Sequence, residues 1–411
     1  MARIAFAWEL GGEYGHVMSC AGLARGLELR GHKIAFMFRE LRQLAVVPEA
    51  RNYAVFQAPR AAVEGANLET RPVSYAEIMF GCGYHNPREL IGLVGGWRSL
   101  MQRWKPDLIV VDFAPTSLVA ARSLGIPCVT YGNGFFYPPI ASPLPPFRID
   151  EPVDPAHLAR VDSGALASVN AALTRFGSKP LARLCDLFVT DEAFLCTMPE
   201  LDHYGVREVC GFWGPRVRFD RGAEVSWPHG GGKRIFVYVK KELAQLDALI
   251  DLLAASPERI VAYIPELDPA RRARLSGRNH VYSDRPIRLE TFLKNADMMI
   301  SHGGEIAAGA LLYGVPQLLF PTHYEQYLTA RRLQQLGCGF WCSPTATADD
   351  VQRGFTQILA DPRYHARARE FSKKYAAYSP QEQRRRIVTR IEALLARPGA
   401  ILSPPSTSQG S

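Results

Sequence analysis

The sequence predicts an α/β protein built from two doubly wound parallel-sheet domains, on three observations. Short β-branched or aromatic runs alternate with segments of helical period, the pattern of parallel strands joined by crossover helices. That alternation lapses between Gly211 and Arg234 into a stretch rich in Gly, Pro, Trp and Arg, and then resumes. A chain of 411 residues with 47% apolar composition suits two cores of ordinary size better than one.

The elements follow in order. Arg3 to Ala7 reads as the first strand. Val17, Ala21, Ala24 and Leu27 form one helical stripe, and Gly31-His32 closes that helix before a strand from Lys33 to Phe38. Pro106 to Asp112 is a buried strand ending in a carboxylate; a helix through Leu118 to Leu124 and a strand at Cys128 to Tyr131 continue the winding. Past the linker, strands are expected at Ile235 to Val239, Ile260 to Ile264, Met298 to Ile300 and Gln317 to Phe320, with a helix near Leu243 to Leu253. Trp97, Met101 and Trp104 stand at helical spacing and read as core. Ile387, Val388, Ile391, Leu394 and Leu395 are packing positions of a last helix. The expected boundaries are 1–212 for the first domain, 213–233 for the linker, 234–378 for the second domain, 379–398 for a terminal helix and 399–411 for a Ser/Pro/Gly-rich disordered tail. Doubly wound sheets bind ligands beyond the carboxyl ends of their strands, so the expected site is a cleft lined by both sets of strand ends.

Composition narrows the function. No run of about 18 apolar residues appears, and Met1-Ala2-Arg3 leads straight into a strand, so a cytoplasmic, unsecreted protein is expected. The eight cysteines are scattered; Cys338 and Cys342 lack a second pair for a zinc site, and no metal is expected. The net charge of +8 suits an anionic ligand. Basic residues are dispersed except at Arg384-Arg385-Arg386, and none interleave with stacking aromatics, which argues against nucleic acid. With Arg367, Arg369, Lys373 and Lys374, that run leaves contact with anionic lipid open without indicating it. A monomer and a homodimer fit equally.

Two constellations carry chemistry. In the second half, His302-Gly303-Gly304 stands where a strand hands over to a helix. Glycines there let backbone N–H groups approach an anion and the helix start adds partial positive charge, so the turn is either a pyrophosphate cradle or an ordinary strand-to-helix connection. Near the start, the loop Trp8-Glu9-Leu10-Gly11-Gly12-Glu13-Tyr14-Gly15-His16 departs from a dinucleotide fingerprint at Glu13 and His16. It sets a histidine at a helix start, where it is either a base or a hydrogen-bonding residue of the helix end.

Taken in order, Pro286, His302-Gly303-Gly304, Gly314-Val315-Pro316 and Glu325-Gln326 resemble the pattern of the GT-B nucleotide-sugar glycosyltransferases, in particular the bacterial antibiotic (macrolide-type) enzymes related to UDP-glycosyltransferases. The resemblance spans nearly the whole chain and is tightest from Pro286 to Gly339. It implies two Rossmann-like domains, the first for the acceptor and the second for a UDP- or dTDP-sugar, with the last helix crossing back to the first domain. It further implies Pro286 and Ile287 at the base, the HGG turn with Glu305 at the diphosphate, Glu325 and Gln326 at the sugar hydroxyls, and Gly12 beside the donor. His16 would be the general base, oriented by Asp112, for an inverting transfer needing neither metal nor cofactor. The aromatics and prolines from Tyr131 to Phe147 suit an apolar wall for a small-molecule or lipid-like acceptor, touched by Tyr14, Phe135, Phe136 and Tyr137, and equally suit core packing or a proline-stiffened lid.

Three departures stand out. Gly309 replaces the ribose-binding Glu of many relatives, which makes a dTDP-sugar as credible as a UDP-sugar; Ile287 replaces a Gln at the base. Lys240-Lys241 stands where relatives have a Gly-Ser turn, and Lys240 is either a point charge on the diphosphate or part of a solvated helix start. A GT-B epimerase acting on the donor itself, and a non-catalytic nucleotide-binding relative, remain alternatives.

Overall fold

The computed structural model describes residues 1–12, 14–61, 72–147, 152–205, 207, 211–218 and 222–396. The chain divides into two compact units: Met1–Arg216 together with the segment from Ser379 onward, and Val217–Tyr378 between them. The expected tail 399–411 lies outside the described residues, as do residues 219–221 of the expected linker.

The first unit is built on a six-stranded sheet of β1 (Arg3–Trp8), β2 (Lys33–Phe38), β3 (Ala54–Gln57), β4 (Leu108–Asp112), β5 (Cys128–Gly132) and β6 (Glu192–Leu195), in the order β3-β2-β1-β4-β5-β6. Every pairing is parallel. β1 and β4 sit at the middle of the sheet, and their unbroken apolar runs are what a strand covered on both faces requires. The order reverses between them, which brings the loop after β1 and the end of β4 side by side, with Trp8 directly opposite Asp112. Beneath the sheet, the helix Tyr14–Glu28 buries Val17, Ala21, Ala24 and Leu27 in the same core as Ile4, Phe6 and Phe36. Trp97 and Met101 are fully buried on the helix Pro87–Trp104.

The terminal helix Pro380–Leu395 belongs to this unit. Ser379 caps it, accepting from the Glu382 N–H, and Ile387, Val388, Ile391 and Leu394 close the core against Tyr14–Glu28. The contact is close: a Cβ on Gly26 would stand 2.9 Å from Val388 Cγ2. Gln383 donates its side-chain N–H to the carbonyls of Trp213 and Gly214, fastening the segment that leads out of the unit.

The second unit repeats the topology with β7 (Arg234–Tyr238), β8 (Arg259–Tyr263), β9 (His280–Ser283), β10 (Met298–Ser301), β11 (Gln317–Leu319) and β12 (Gly339–Trp341), in the order β12-β11-β10-β7-β8-β9. Counted from its own first strand this is the same winding, again all parallel, with the reversal between β7 and β10. The expected helix near Leu243 begins at Leu246 and runs to Ala255; residues 240–245 form turns before it. Gly314-Val315-Pro316 is the joint between the helix Glu305–Leu312 and β11. Gly314 takes φ +73°, Val315 is buried, and the Pro316 carbonyl accepts from the Met299 N–H.

Candidate active site

In the first unit β1 ends at Trp8, and the chain turns through Gly11, whose φ of +73° suits glycine. The turn is pinned by Leu10, whose N–H donates to the Phe113 carbonyl at 2.9 Å and whose carbonyl accepts from Trp8 Nε1 at 2.7 Å. It delivers His16 in the first turn of the helix Tyr14–Glu28, with Nδ1 3.0 Å from Asp112 Oδ2 at the end of β4. An ionised carboxylate only accepts, so Nδ1 carries the proton and Nε2 keeps its lone pair. Nε2 lies beside Gly11, 3.1 Å from where a Cβ would stand. Trp8 stacks on the imidazole at 5.2 Å, Phe136 lies at 4.9 Å and Phe113 at 6.3 Å, leaving His16 7% exposed.

Asp112 is fully buried, which alone would raise its pKa, but the charges of Arg216 and His16 outweigh burial and hold the carboxyl below its usual range. Arg216 is the residue that sequence reasoning missed. Its Nη1 lies 3.0 Å from the same Asp112 Oδ2 and donates to the Tyr131 carbonyl at 2.9 Å. It came from a segment read as linker, and nothing local marks it. Glu9, also unremarked, is buried one residue past β1, its Oε2 accepting from the Thr116 N–H at 2.9 Å. Burial pushes its carboxyl up to about 7, against the opposing bonds from Thr116 and the charge of Arg39.

A narrow apolar hollow of about 10 Å³ lies beyond β4 and β5, lined among others by Tyr75, Phe113, Phe136, Tyr137 and Phe188. Of the expected acceptor residues, Phe136 reaches both the hollow and His16. Tyr137 lines the hollow with its hydroxyl tied to the Phe188 carbonyl, and Tyr14 stands exposed on the helix surface. Phe135 is instead a packing residue, buried and stacked on Phe147 at 4.8 Å, and it does not line the hollow. Gly12 is open to solvent with no atom near the position a Cβ would take.

In the second unit, His302-Gly303-Gly304 follows β10 and leads into the helix Glu305–Leu312, with φ +100° and +67° at the two glycines. The turn packs on Glu325 and Gln326: a Cβ on Gly303 would meet the Gln326 carbonyl at 3.3 Å, and one on Gly304 would meet Glu325 Oε2 at 3.5 Å. Gln326 Oε1 accepts from both the N–H and the hydroxyl of Thr322. His302 Nδ1 donates to the Phe320 carbonyl at 2.7 Å, while Nε2 accepts from the Lys240 N–H at 2.7 Å. Both ring nitrogens are therefore spent on the main chain, and the groups this turn offers an anion are the N–H groups of its helix start, where Glu305 stands. Pro286 is exposed, its carbonyl accepting from the Ala223 N–H. Ile287 is a core residue rather than a base contact, 4% exposed among Val217, Phe236 and Phe292, because its strand-like pairing with Ala223 turns the side chain inward. Lys241 pairs with Glu266, and Gly309 is buried within the helix Glu305–Leu312.

Residues 248–394 match the family model of the erythromycin biosynthesis protein CIII-like C-terminal domain. The chain is 34% identical over 83 residues to the NDP-glycosyltransferase YjiC of Bacillus subtilis (strain 168), a match spanning 20% of this chain and about a fifth (21%) of that protein. It is 24% identical over 388 residues to the zeaxanthin glucosyltransferase of Pseudescherichia vulneris, covering 86% of this chain and 90% of that one. Among solved structures, the spinosyn rhamnosyltransferase SpnG complexed with thymidine diphosphate superposes with a TM-score of 0.66 at 17% identity, over 95% of this chain and 100% of the other. Two sheets of one winding and a likeness in fold along nearly the whole length give the chain the two-domain GT-B architecture, and the family match across most of the second unit makes that part similar to the antibiotic-type glycosyltransferases.

Proposed function

We propose that the protein transfers a sugar, with inversion, from a nucleoside-diphosphate sugar to a hydroxyl of an apolar acceptor, with His16 as general base. The observation that carries this reading is the 3.0 Å contact of His16 Nδ1 with Asp112 Oδ2 at the reversal point of the first sheet. The acceptor hydroxyl gives its proton to His16 Nε2, its oxygen attacks the anomeric carbon, and the bond to the diphosphate breaks on the opposite face, releasing the nucleoside diphosphate. Asp112 keeps the tautomer and stabilises the imidazolium that forms. The leaving diphosphate is assigned to the N–H groups at the start of Glu305–Leu312, with Glu325 and Gln326 beside the HGG turn for sugar hydroxyls, and no metal is invoked.

The aromatic hollow next to His16 favours a flat or lipid-like acceptor. The relatives named for zeaxanthin and for spinosyn agree with that class, and the latter's complex with thymidine diphosphate favours a dTDP-sugar donor. The test is a panel of UDP- and dTDP-sugars against apolar hydroxyl acceptors, with product anomer read by NMR and His16→Ala as control. The expected result is an inverted glycoside and a rate loss of about 10²–10⁴ in the variant with donor affinity kept. Unchanged turnover in the variant, or epimerised donor without acceptor, overturns it.

A further inference from the structure

Three groups reach Asp112, and all three fall on one oxygen. His16 Nδ1 and Arg216 Nη1 each lie 3.0 Å from Oδ2, and Cys20 Sγ lies 3.6 Å from it. Oδ1 is buried and makes no hydrogen bond among the described residues. Histidine and guanidinium thus share a single acceptor atom in a place where Asp112 and Arg216 are nearly or wholly closed to water.

Arg216 is held there independently of the carboxylate. Nη1 donates to the Tyr131 carbonyl at 2.9 Å, and the guanidinium lies 4.8 Å from the Tyr131 ring and 5.7 Å from that of Phe136, the same Phe136 that packs on His16. Just before it, the Gly214 N–H donates to the Thr197 carbonyl and Gln383 grips the Trp213 and Gly214 carbonyls. Arg216 ends the first stretch of its unit; the chain enters the other unit at Val217.

We propose that Arg216 is a positioning residue for the transfer reaction, which sets the basicity of His16 through their shared oxygen on Asp112. The proposal rests on the reading of His16 as the base. A carboxylate alone beside an imidazole favours imidazolium strongly and would leave much of the base already protonated. A permanent cation on the same oxygen takes up part of that negative charge and repels a second positive charge, which opposes the imidazolium that the carboxylate alone would favour. The carboxylate still fixes the tautomer, because its hydrogen bond to Nδ1 remains. Among the described residues, the charged or titratable groups in contact with His16 or its partner are Asp112 from β4, Arg216 from the segment after β6 and, through Asp112, Cys20 on its own helix; Trp8, Phe113 and Phe136 pack around the ring. The depressed carboxyl of Asp112 agrees, with Arg216 the largest of the charges opposing its burial.

The test replaces the charge while keeping a donor. Arg216→Gln removes the cation and Arg216→Lys keeps it. In Arg216→Gln the acid limb of the kcat/KM profile moves up by about one pH unit, giving roughly ten-fold loss at pH below the limb and little above it, and Arg216→Lys restores most of the limb. The NMR titration midpoint of the His16 imidazole, assigned by comparison with His16→Gln, moves in the same direction without any substrate present. A limb and midpoint that stay in place in both variants, or a rate loss equal at every pH, overturns the proposal. Should both variants unfold, Asp112→Asn and the double variant Asp112→Asn/Arg216→Gln carry the test: the midpoint lies lower by about one pH unit where Arg216 remains, and equal midpoints overturn the proposal. A midpoint that moves while catalysis ignores His16 instead indicts the general-base reading and leaves the electrostatic coupling standing.

Discussion

In the first sheet the strand order reverses between β1 and β4, and there His16, from the loop after the first strand, meets a carboxylate at the end of the fourth. In the second sheet it reverses between β7 and β10, and there His302, from the loop after the fourth strand, meets the backbone N–H of Lys240 after the first. One histidine has a charged partner on Nδ1, with Nε2 beside Gly11. The other gives both nitrogens to carbonyl and amide, and so serves as a latch that fixes a glycine turn. At the same topological position the histidine's partner is a side chain in one unit and the main chain in the other, and the proposed roles, proton transfer and anion binding, divide along that line.

The largest effects should come from exchanging these roles by deletion. His16→Ala removes the base with no buried main-chain group stranded, so kcat falls by about 10²–10⁴ while thermal stability and donor affinity hold. His302→Ala strands the Phe320 carbonyl and the Lys240 N–H, at about 1–3 kcal/mol each, so it should lower the melting temperature and weaken nucleotide binding together. Calorimetry with dTDP and UDP alongside melting curves separates the two. A stable His302→Ala that binds nucleotide normally would remove the latch from the comparison.

Next comes the carboxylate. Asp112→Ala leaves Arg216 as a buried cation without its counterion, and should cost about 3–5 kcal/mol, read from denaturant unfolding. At the second unit's reversal the His302 ring is held by main-chain groups instead, the Phe320 carbonyl and the Lys240 N–H. Because the Asp112 carboxyl lies below its usual value, its contribution is full above about pH 4 and is lost as pH falls through the lowered value. Glu9, on the loop of the same reversal, runs the other way. Its carboxyl is raised from 4.5 to about 7, so the folded state holds the proton more tightly and its contribution is full below 4.5 and lost as pH rises to about 7. That rise corresponds to roughly 3 kcal/mol at 1.36 kcal/mol per pH unit. Glu9→Gln, able to keep an acceptor for the Thr116 N–H, should flatten the fall in stability between pH 5 and pH 7, read from unfolding curves at each pH. A variant whose pH dependence runs parallel to the parent would assign the effect to another group.

What was legible in the sequence follows the same division. The central strands, and the places in the fold of His16, Asp112, the HGG turn and the Glu325-Gln326 pair, were readable because each is fixed by its own strand end or helix start. The edge strands β3, β6, β9 and β12 are three or four residues long with mixed polarity, and carry no period to detect. Arg216 was illegible because its function depends on a contact with a residue 104 positions earlier, reached through the fold and from a segment whose composition signals only a linker. Phe135 and Ile287 were assigned to ligands because an apolar residue near a strand end reads alike whether it lines a hollow or fills a core; only the direction of the loop decides.

The smallest predicted effect tests the turns themselves. Gly11 and Gly303 both hold a positive φ beside the histidine of their unit, at +73° and +100°. An alanine at either should cost about 1–2 kcal/mol of backbone strain. Its methyl would, however, meet different things: at Gly11 it stands 3.1 Å from His16 Nε2 and 3.2 Å from the Phe113 ring, at Gly303 3.3 Å from the Gln326 carbonyl. Gly11→Ala should therefore lower kcat by crowding the nitrogen that takes the proton, with nucleotide affinity kept. Gly303→Ala should push the Gln326 backbone from the turn and weaken donor binding, which steady-state kinetics at saturating donor would partly conceal and direct calorimetry would reveal. Equal losses of both properties from either substitution would mean that the turns act only as hinges of their sheets, since a turn that merely closes a strand has no reason to distinguish the base from the donor.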